Sequence, residues 1–223
     1  MQLRHEVKHE ISESDLLILR QRLRAVMKPD SHAVGGRYMI RSLYFDNLDD
    51  KALREKLDGV DIREKYRIRL YNNDPSTLRL ERKFKQGALG CKTAVSLTPE
   101  QAQAIADGDI EWMSHSADEV ILGFYTRIKN ERLKAKVIVD YTREPFVFGP
   151  GNVRVTLDYG IRTGMGCTDF LNPDCVTVPI ANSPCILEVK WDSFLPDVIR
   201  DAVQLENRRS TAFSKYAASR MYD

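Results

Sequence analysis

Charged and apolar residues alternate along several short stretches of the chain, in the pattern of a half-buried β-strand. Within residues 63–72, Lys65, Arg67 and Arg69 share one face of the predicted strand, and the residues between them are apolar. Neighbours on one face of a strand are roughly 6.6 Å apart, so three like charges in a row repel one another unless a negative group lies opposite them. The same alternation recurs in four further stretches: 3–11, 78–85, 153–158 and 186–192.

Helices are predicted between the strands by apolar residues at intervals of three and four. The first is expected to begin after a capping box formed by Ser12 and Asp15, and another at Thr98 with Pro99 as its first helical residue. Further helices are predicted within residues 48–59, 117–134 and from residue 196 onward. Because the strands come in consecutive runs with helices scattered between them, we expect an α+β fold with a mostly antiparallel sheet.

The composition is that of an ordinary globular protein, with 43% hydrophobic and 30% charged residues in 223. This length predicts a single domain over residues 1–223. The formal net charge of only +2 argues against a protein built to coat nucleic acid. No apolar run is long enough to span a membrane, and the first residues are too charged for a signal peptide, so we expect a cytoplasmic protein.

The cysteines and histidines do not predict a zinc site or a disulfide framework. The four histidines are scattered, and the four cysteines have no Cys-x-x-Cys spacing. Free thiols are therefore expected at each cysteine: Cys91, Cys167, Cys175 and Cys185.

The charged faces have two interpretations. An antiparallel sheet usually has one apolar and one solvated face, which explains alternation on any single strand. Here the pattern recurs in five strands, the charges are mainly cationic, and about five amphipathic helices need an apolar surface to cover. If the helices cover the apolar side, the charged side faces either bulk water or a lumen. A closed barrel with its charged face inward would be a water-filled basic tunnel, and we expect an antiparallel β-barrel tunnel with a charged interior, flanked by helices. Such a tunnel would need a polyanion to neutralise it.

Several motifs, in order along the chain, resemble one known family. They are RHEVKHEIS, YRIRLYN, LERKFKQGALGCKTAV, VIVDYTREPF, VRVTLD, LEVKW and FSKY. Together they resemble the catalytic domain of the vacuolar transporter chaperone (VTC) polyphosphate polymerases, within the triphosphate tunnel metalloenzyme superfamily, nearly end to end. The sequence differs from the superfamily signature E-x-E-x-K at one position, because Arg4 replaces the first glutamate while Glu6 and Lys8 remain. This departure favours the VTC branch.

The resemblance implies a set of site residues. The cations expected to act on the transferred phosphate are Lys8, Arg67, Arg69, Lys83, Arg143, Arg154 and Lys215. Further substrate contacts are expected from Lys92, Tyr141 and Glu6. Glu188 is expected to hold the metal, Mn²⁺ or Mg²⁺, and Glu81 to pair with neighbouring cations.

The implied reaction is metal-dependent transfer of the γ-phosphate of ATP to phosphate or polyphosphate. Two alternatives remain open within the same tunnel: a triphosphatase or tripolyphosphatase, in which water is the acceptor, and a non-catalytic polyphosphate-binding module. The presence of Glu188 favours catalysis. A nucleic-acid partner is not expected, because the cations alternate with aliphatic residues rather than with aromatic ones. The expected partners are ATP or another triphosphate and inorganic polyphosphate, and no oligomeric state is predicted.

Overall fold

The computed structural model describes residues 4–87, 89–206, 208 and 210–222, so Leu3 of the first predicted strand lies outside the described residues. Within these ranges, ten strands form one curled antiparallel sheet flanked by six α-helices, which confirms the predicted fold class. The strands are β1 His5–Ile11, β2 Lys28–Pro29, β3 Tyr38–Asp46, β4 Ile62–Tyr71, β5 Asp74–Gln86, β6 Leu89–Ser96, β7 Lys134–Phe148, β8 Val153–Thr163, β9 Val178–Pro179 and β10 Cys185–Trp191. The helices are α1 Glu13–Val26, α2 Lys51–Leu57, α3 Pro99–Asp107, α4 Glu119–Glu131, α5 Asp197–Val203 and α6 Lys215–Ser219.

The sheet curls until its two edges approach each other. Its strand order is β1-β10-β8-β7-β3-β4-β5-β6, with β2 beside β7 and β9 beside β8. Arg4, just before β1, forms a bridge with Gly90 of β6 at the opposite edge. Farther along β1, His9 forms a bridge with Ser210, and the N–H of Thr211 donates to the carbonyl of Lys8 at 2.8 Å. The edges are thus joined partly to each other and partly to the C-terminal segment, and the inner face encloses a cavity.

The outer face of the sheet is apolar and is covered by the amphipathic helices. Ile68 and Leu80 of the β4–β5 hairpin pack with Phe124 of α4 in one cluster of buried residues. Over another part of the outer face, Leu19 of α1 and Ile199 of α5 belong to a second cluster with the outer residues of β8 and β10. The predicted capping box of Ser12 and Asp15 forms at the start of α1, and Thr98 caps α3 with Pro99 as its first residue, as predicted. In β4, β5, β8 and β10 the predicted apolar face is therefore the one that the helices cover.

Part of the inner face is apolar, and the C-terminal segment covers it. Tyr216 of α6 is buried and belongs to a third cluster with residues of β3, β7 and β8. Its ring stacks on that of Tyr44, with centroids 5.1 Å apart. This packing places the neighbouring residues Ser214 and Lys215 at the cavity wall. The C-terminal segment is therefore a wall of the cavity as well as a seal for its edge.

Asp46 connects three elements that surround the cavity. Its carboxylate is fully buried at the end of β3. It accepts hydrogen bonds from the N–H groups of Ala52 and Leu53 in the first turn of α2, at 2.9 and 3.1 Å, and from the hydroxyl of Tyr216 at 2.6 Å. Since the first N–H groups of a helix have no partner within the helix, this carboxylate acts as the cap of α2.

Two further features are found in the described residues. The four cysteines are free, and the Sγ atoms of Cys167 and Cys175 lie 3.0 Å apart. None of the helices there combines the length and the apolar character needed to cross a membrane.

Replacing Asp46 by alanine should destabilise the protein by roughly 2–4 kcal/mol, because four hydrogen bonds to a buried carboxylate, including one from the N–H of Asn47, are lost together. Denaturant unfolding measures this difference. Asp49→Ala is the matched control, since Asp49 is exposed in the same loop, and it should change stability by less than about 0.5 kcal/mol. Equal effects of the two substitutions would contradict the anchoring role of Asp46.

Candidate functional site

The inner face of the sheet, α2 and the C-terminal segment enclose a cavity of about 610 Å³. All eleven residues that the sequence predicts for the site line this cavity: Glu6, Lys8, Arg67, Arg69, Lys83, Lys92, Tyr141, Arg143, Arg154, Glu188 and Lys215. The described lining also contains cations that were not predicted for the site: Arg4, Lys56, Arg63, Lys65, Lys85 and Lys190. Among the described residues, the carboxylates that line the cavity are only Glu6, Glu64 and Glu188, so the wall has a large excess of positive charge.

Glu81 holds three cations in one cluster on β4, β5 and β6. Register places it directly opposite Arg67, and its side chain is only 1% exposed. Arg67 Nε donates to Glu81 Oε2 at 2.8 Å, Lys92 Nζ donates to Oε1 at 2.8 Å, and Arg69 Nη1 lies 3.7 Å from Oε2. Burial raises the pKa of Glu81, but Arg69 and Arg67 outweigh it and hold this pKa far below 4.5. The expected pairing of Glu81 with neighbouring cations is thus correct.

Asp158 performs the same task on β7, β8 and α6. It is fully buried and accepts two hydrogen bonds from Arg143, at 2.6 and 2.7 Å, and one from Lys215 Nζ at 2.6 Å. Burial raises the pKa of Asp158, but the attraction of Arg143 and Lys215 outweighs burial and lowers this pKa to about 2. Tyr141 lies between this cluster and the first one, because Arg69 donates to its hydroxyl at 3.1 Å and Lys215 Nζ is 4.5 Å from its ring centroid.

A third cluster joins β1 to β10 and contains the predicted metal ligand. Lys8 Nζ lies 3.2 Å from both Glu6 and Glu188, and Lys190 Nζ lies 2.5 Å from Glu188 and 3.3 Å from Glu6. Lys83 approaches Glu6 at 3.5 Å. Burial and repulsion by Lys8 lower the pKa of Lys83 to about 7. This lysine is therefore the least compensated member of the cluster.

Glu6 and Glu188 are the donor set that could hold a divalent metal. Two carboxylates suit Mg²⁺ or Mn²⁺, which commonly take one or two carboxylates together with phosphate oxygens. The described residues contain no group of three His, Cys, Asp or Glu side chains suited to a metal. The pair thus fits a metal that is bound jointly with a phosphate ligand. Without such a ligand, Lys8 and Lys190 meet the charge of both carboxylates.

Tyr44 and Lys65 were not predicted for the site, although both line the cavity. Arg67 Nη1 donates to the Tyr44 hydroxyl at 2.9 Å. Burial raises the pKa of Tyr44, but Arg67 and Lys65 outweigh it and lower it to about 7. Lys65 Nζ donates to Ser214 Oγ at 3.4 Å, and burial lowers its pKa to about 8. The sequence could have identified Lys65 as a site residue, because it lies on the same face of its strand as Arg67. It gave no such indication for Tyr44, because both faces of that strand are largely apolar.

Arg154 lies at the rim of the cavity rather than in one of these clusters. Its Nη2 donates to the hydroxyl of Tyr38 at 2.7 Å and lies 2.9 Å from Asp30. About a third of its side chain is exposed. It is therefore the most accessible of the predicted arginines.

The family model described as VTC domain matches residues 3–222. Among curated proteins, no sequence matches this chain significantly. Similar solved structures include a putative adenylate cyclase from Bacillus halodurans, with 14% identity, a TM-score of 0.48 and coverage of 85% of this chain and 80% of that one. The PH1012 protein from Pyrococcus horikoshii OT3 has 12% identity and a TM-score of 0.47, and the match covers 95% of this chain and 96% of that one. A putative adenylate cyclase from Vibrio parahaemolyticus has 8% identity and a TM-score of 0.46, with coverage of 90% of this chain and 82% of that one.

Replacing Glu81 by glutamine should destabilise the protein by roughly 3–5 kcal/mol at neutral pH, because buried cations lose their countercharge. A carboxylate whose pKa is lowered by folding stabilises the protein above its usual pKa and less so in acid. The difference from the wild type should thus be constant above pH 4.5 and shrink below it.

Denaturant unfolding at several pH values measures this difference. The control is Glu206→Gln, which changes an exposed glutamate outside the cavity and should be nearly neutral. A loss below about 1 kcal/mol at pH 7 for Glu81→Gln would contradict the countercharge role, since it lies well under the value for a broken buried pair.

Proposed function

This chain belongs to the VTC domain family, and we propose that it is a metal-dependent phosphotransferase that moves the γ-phosphate of ATP to phosphate or polyphosphate inside the basic cavity. The observation that supports this proposal best is the arrangement of the cations. Arginines and lysines from separate strands are fixed by buried carboxylates and face one enclosed space. Such an array suits a ligand with several closely spaced negative charges.

Arg67 and Arg69 are the residues best placed to hold phosphate oxygens. A guanidinium has five N–H donors, and Arg67 uses three of its nitrogens on Glu81 and Tyr44 without using every hydrogen. Phosphate oxygens can accept the remaining hydrogens in a bidentate manner. Because Glu81 already fixes the side chains, little conformational entropy is lost when the phosphate binds.

Phosphoryl transfer requires mainly positioning and stabilisation of negative charge. Arg143 and Lys215, fixed by Asp158, would stabilise charge on the phosphates next to the first pair of arginines. Glu188, with Glu6, would hold Mg²⁺ or Mn²⁺, which supplies charge neutralisation on the phosphates when it is bound. Lys8 and Lys190 would then be released from these carboxylates and become free to contact phosphate.

A second candidate function is non-catalytic binding of polyphosphate. The supporting observation is that Lys8 and Lys190 already neutralise Glu6 and Glu188, so the cavity has a stable arrangement without a metal. Hydrolysis of a triphosphate is the corresponding alternative if water, rather than phosphate, is the acceptor. Products separate these possibilities: ADP with polyphosphate, ADP with orthophosphate, or no consumption of ATP.

Glu188→Gln should still fold, although less stably, because Lys8 and Lys190 lose a buried partner. It should keep much of the tripolyphosphate binding but lower the metal-dependent consumption of ATP by about two orders of magnitude or more. The glutamine has a similar shape but does not provide a carboxylate for the metal. The measurement is turnover of ATP with Mn²⁺ or Mg²⁺, with Glu206→Gln as the exposed control. A wild-type rate in Glu188→Gln would refute the metal assignment. A wild type that binds tripolyphosphate but never consumes ATP would favour the binding module.

Lys83→Gln should weaken tripolyphosphate binding roughly tenfold, the effect expected when one charge-assisted contact is lost. The ligand-free protein should be as stable as the wild type or more so, because repulsion with Lys8 is removed. Calorimetric titration at two salt concentrations measures the affinity, and the loss should be smaller at high salt. Lys28→Gln, an exposed change outside the cavity, is the control. Unchanged affinity in Lys83→Gln would exclude contact of this lysine with the ligand.

A further inference from the structure

Three cations form a separate group at one end of the charged face of β4. Arg63 of β4 lies directly opposite Lys85 of β5, and Lys56 comes from the last turn of α2. All three line the cavity, and we call them the Lys56 cluster. Within the described residues, none of them has a carboxylate within ion-pair distance; Arg63 Nη1 donates only to the carbonyl of Val60, at 2.8 Å.

The Lys56 cluster differs from the three clusters described above because no carboxylate among the described residues lies close enough to neutralise its cations. Arg67, Arg143 and Lys8 each lie against a buried carboxylate. In the Lys56 cluster, like charges face each other directly across two paired strands, an arrangement that destabilises a sheet. Burial lowers the pKa of Lys56 and of Lys85, and repulsion by Arg63 lowers both further. The fold thus keeps an unfavourable group of charges that an external anion would relieve.

The cluster continues the row of cations that would hold the triphosphate. Arg63, Lys65, Arg67 and Arg69 all face the cavity along β4. Six residues of strand separate the first from the last, which corresponds to roughly 20 Å. Lys65, between the two groups, also has no carboxylate within ion-pair distance in the described part of the chain, and it faces Lys83 across the strand pair. A row of this length exceeds one triphosphate and matches a chain of many phosphates.

We propose that the Lys56 cluster binds phosphate groups of a linear polyphosphate that extend beyond the three phosphates held at Arg67 and Arg69, so that the protein binds long chains more tightly than tripolyphosphate. This inference rests on the proposed function of the cavity as a phosphate-chain site. It adds a second binding region and a basis for chain-length selectivity.

The test compares affinities for two probes, tripolyphosphate and size-fractionated linear polyphosphate of several tens of units. The double variant Lys56→Gln/Lys85→Gln removes two of the three cations, and the single variants provide milder changes. Lys28→Gln/Lys134→Gln removes the same charge from exposed positions outside the cavity. Thermal melting of the ligand-free proteins checks the fold, and the melting temperature of the double variant should equal or exceed that of the wild type.

The expected result is a loss of roughly tenfold or more in long-chain affinity for the cavity variant, with tripolyphosphate affinity changed by less than about threefold. The control variant should keep the wild-type ratio of the two affinities. Equal losses for both probes, or no loss for either, would overturn the proposal. If the wild type binds long polyphosphate but not tripolyphosphate, the proposed triphosphate site fails, whereas a selective loss of long-chain binding in the cavity variant would still support the Lys56 cluster.

Discussion

Enclosing many like charges inside a curled sheet is the constraint on which the rest of this structure depends. The sheet can close only if the protein supplies part of the opposite charge itself. Glu81, Asp158 and Glu188 do this, each buried and each in contact with cations from a neighbouring strand or from the C-terminal segment. Because removing a buried partner leaves an uncompensated charge, these pairs hold the strands in register as well as orienting the site.

The opposite face of the sheet follows from the same constraint. If the charged side chains face inward, the apolar ones between them must be covered from outside, which requires helices over most of the sheet. Ile68 illustrates this, since it lies between the cavity residues Arg67 and Arg69 and packs in one cluster with Phe124 of α4. The C-terminal segment then closes what the strands leave open, with Tyr216 anchored to Asp46 and Lys215 to Asp158. One segment thus contributes to the core, the seal and the site.

Strand periodicity was enough to predict the two faces, and the motifs were enough to predict which cations share a cavity. The source of the countercharge was predicted only in part. The sequence suggested that a bound polyanion would neutralise the cations. In the structure, part of the neutralising charge comes from the protein itself, because Asp158 pairs with Arg143 and Lys215, which are 15 and 57 residues away in the chain. Such pairings depend on strand order, which alternation does not specify. Lys56 was missed for a related reason, since a helical lysine shows no sign in the sequence that its helix lies beside a cavity.

The division between compensated and uncompensated cations has a consequence for ligand choice. A cation held by a buried carboxylate attracts a distant anion only weakly, but it presents its remaining N–H donors in a fixed geometry, which favours a particular spacing of oxygens. Among the described residues, Lys65 has no carboxylate within ion-pair distance and Lys83 has only Glu6, at 3.5 Å, and burial lowers the pKa of each lysine. A polyanion favours their charged forms, so its binding would draw protons onto them. Under the proposed function, the enclosed cavity also disfavours a nucleic-acid duplex and suits phosphates linked directly to one another.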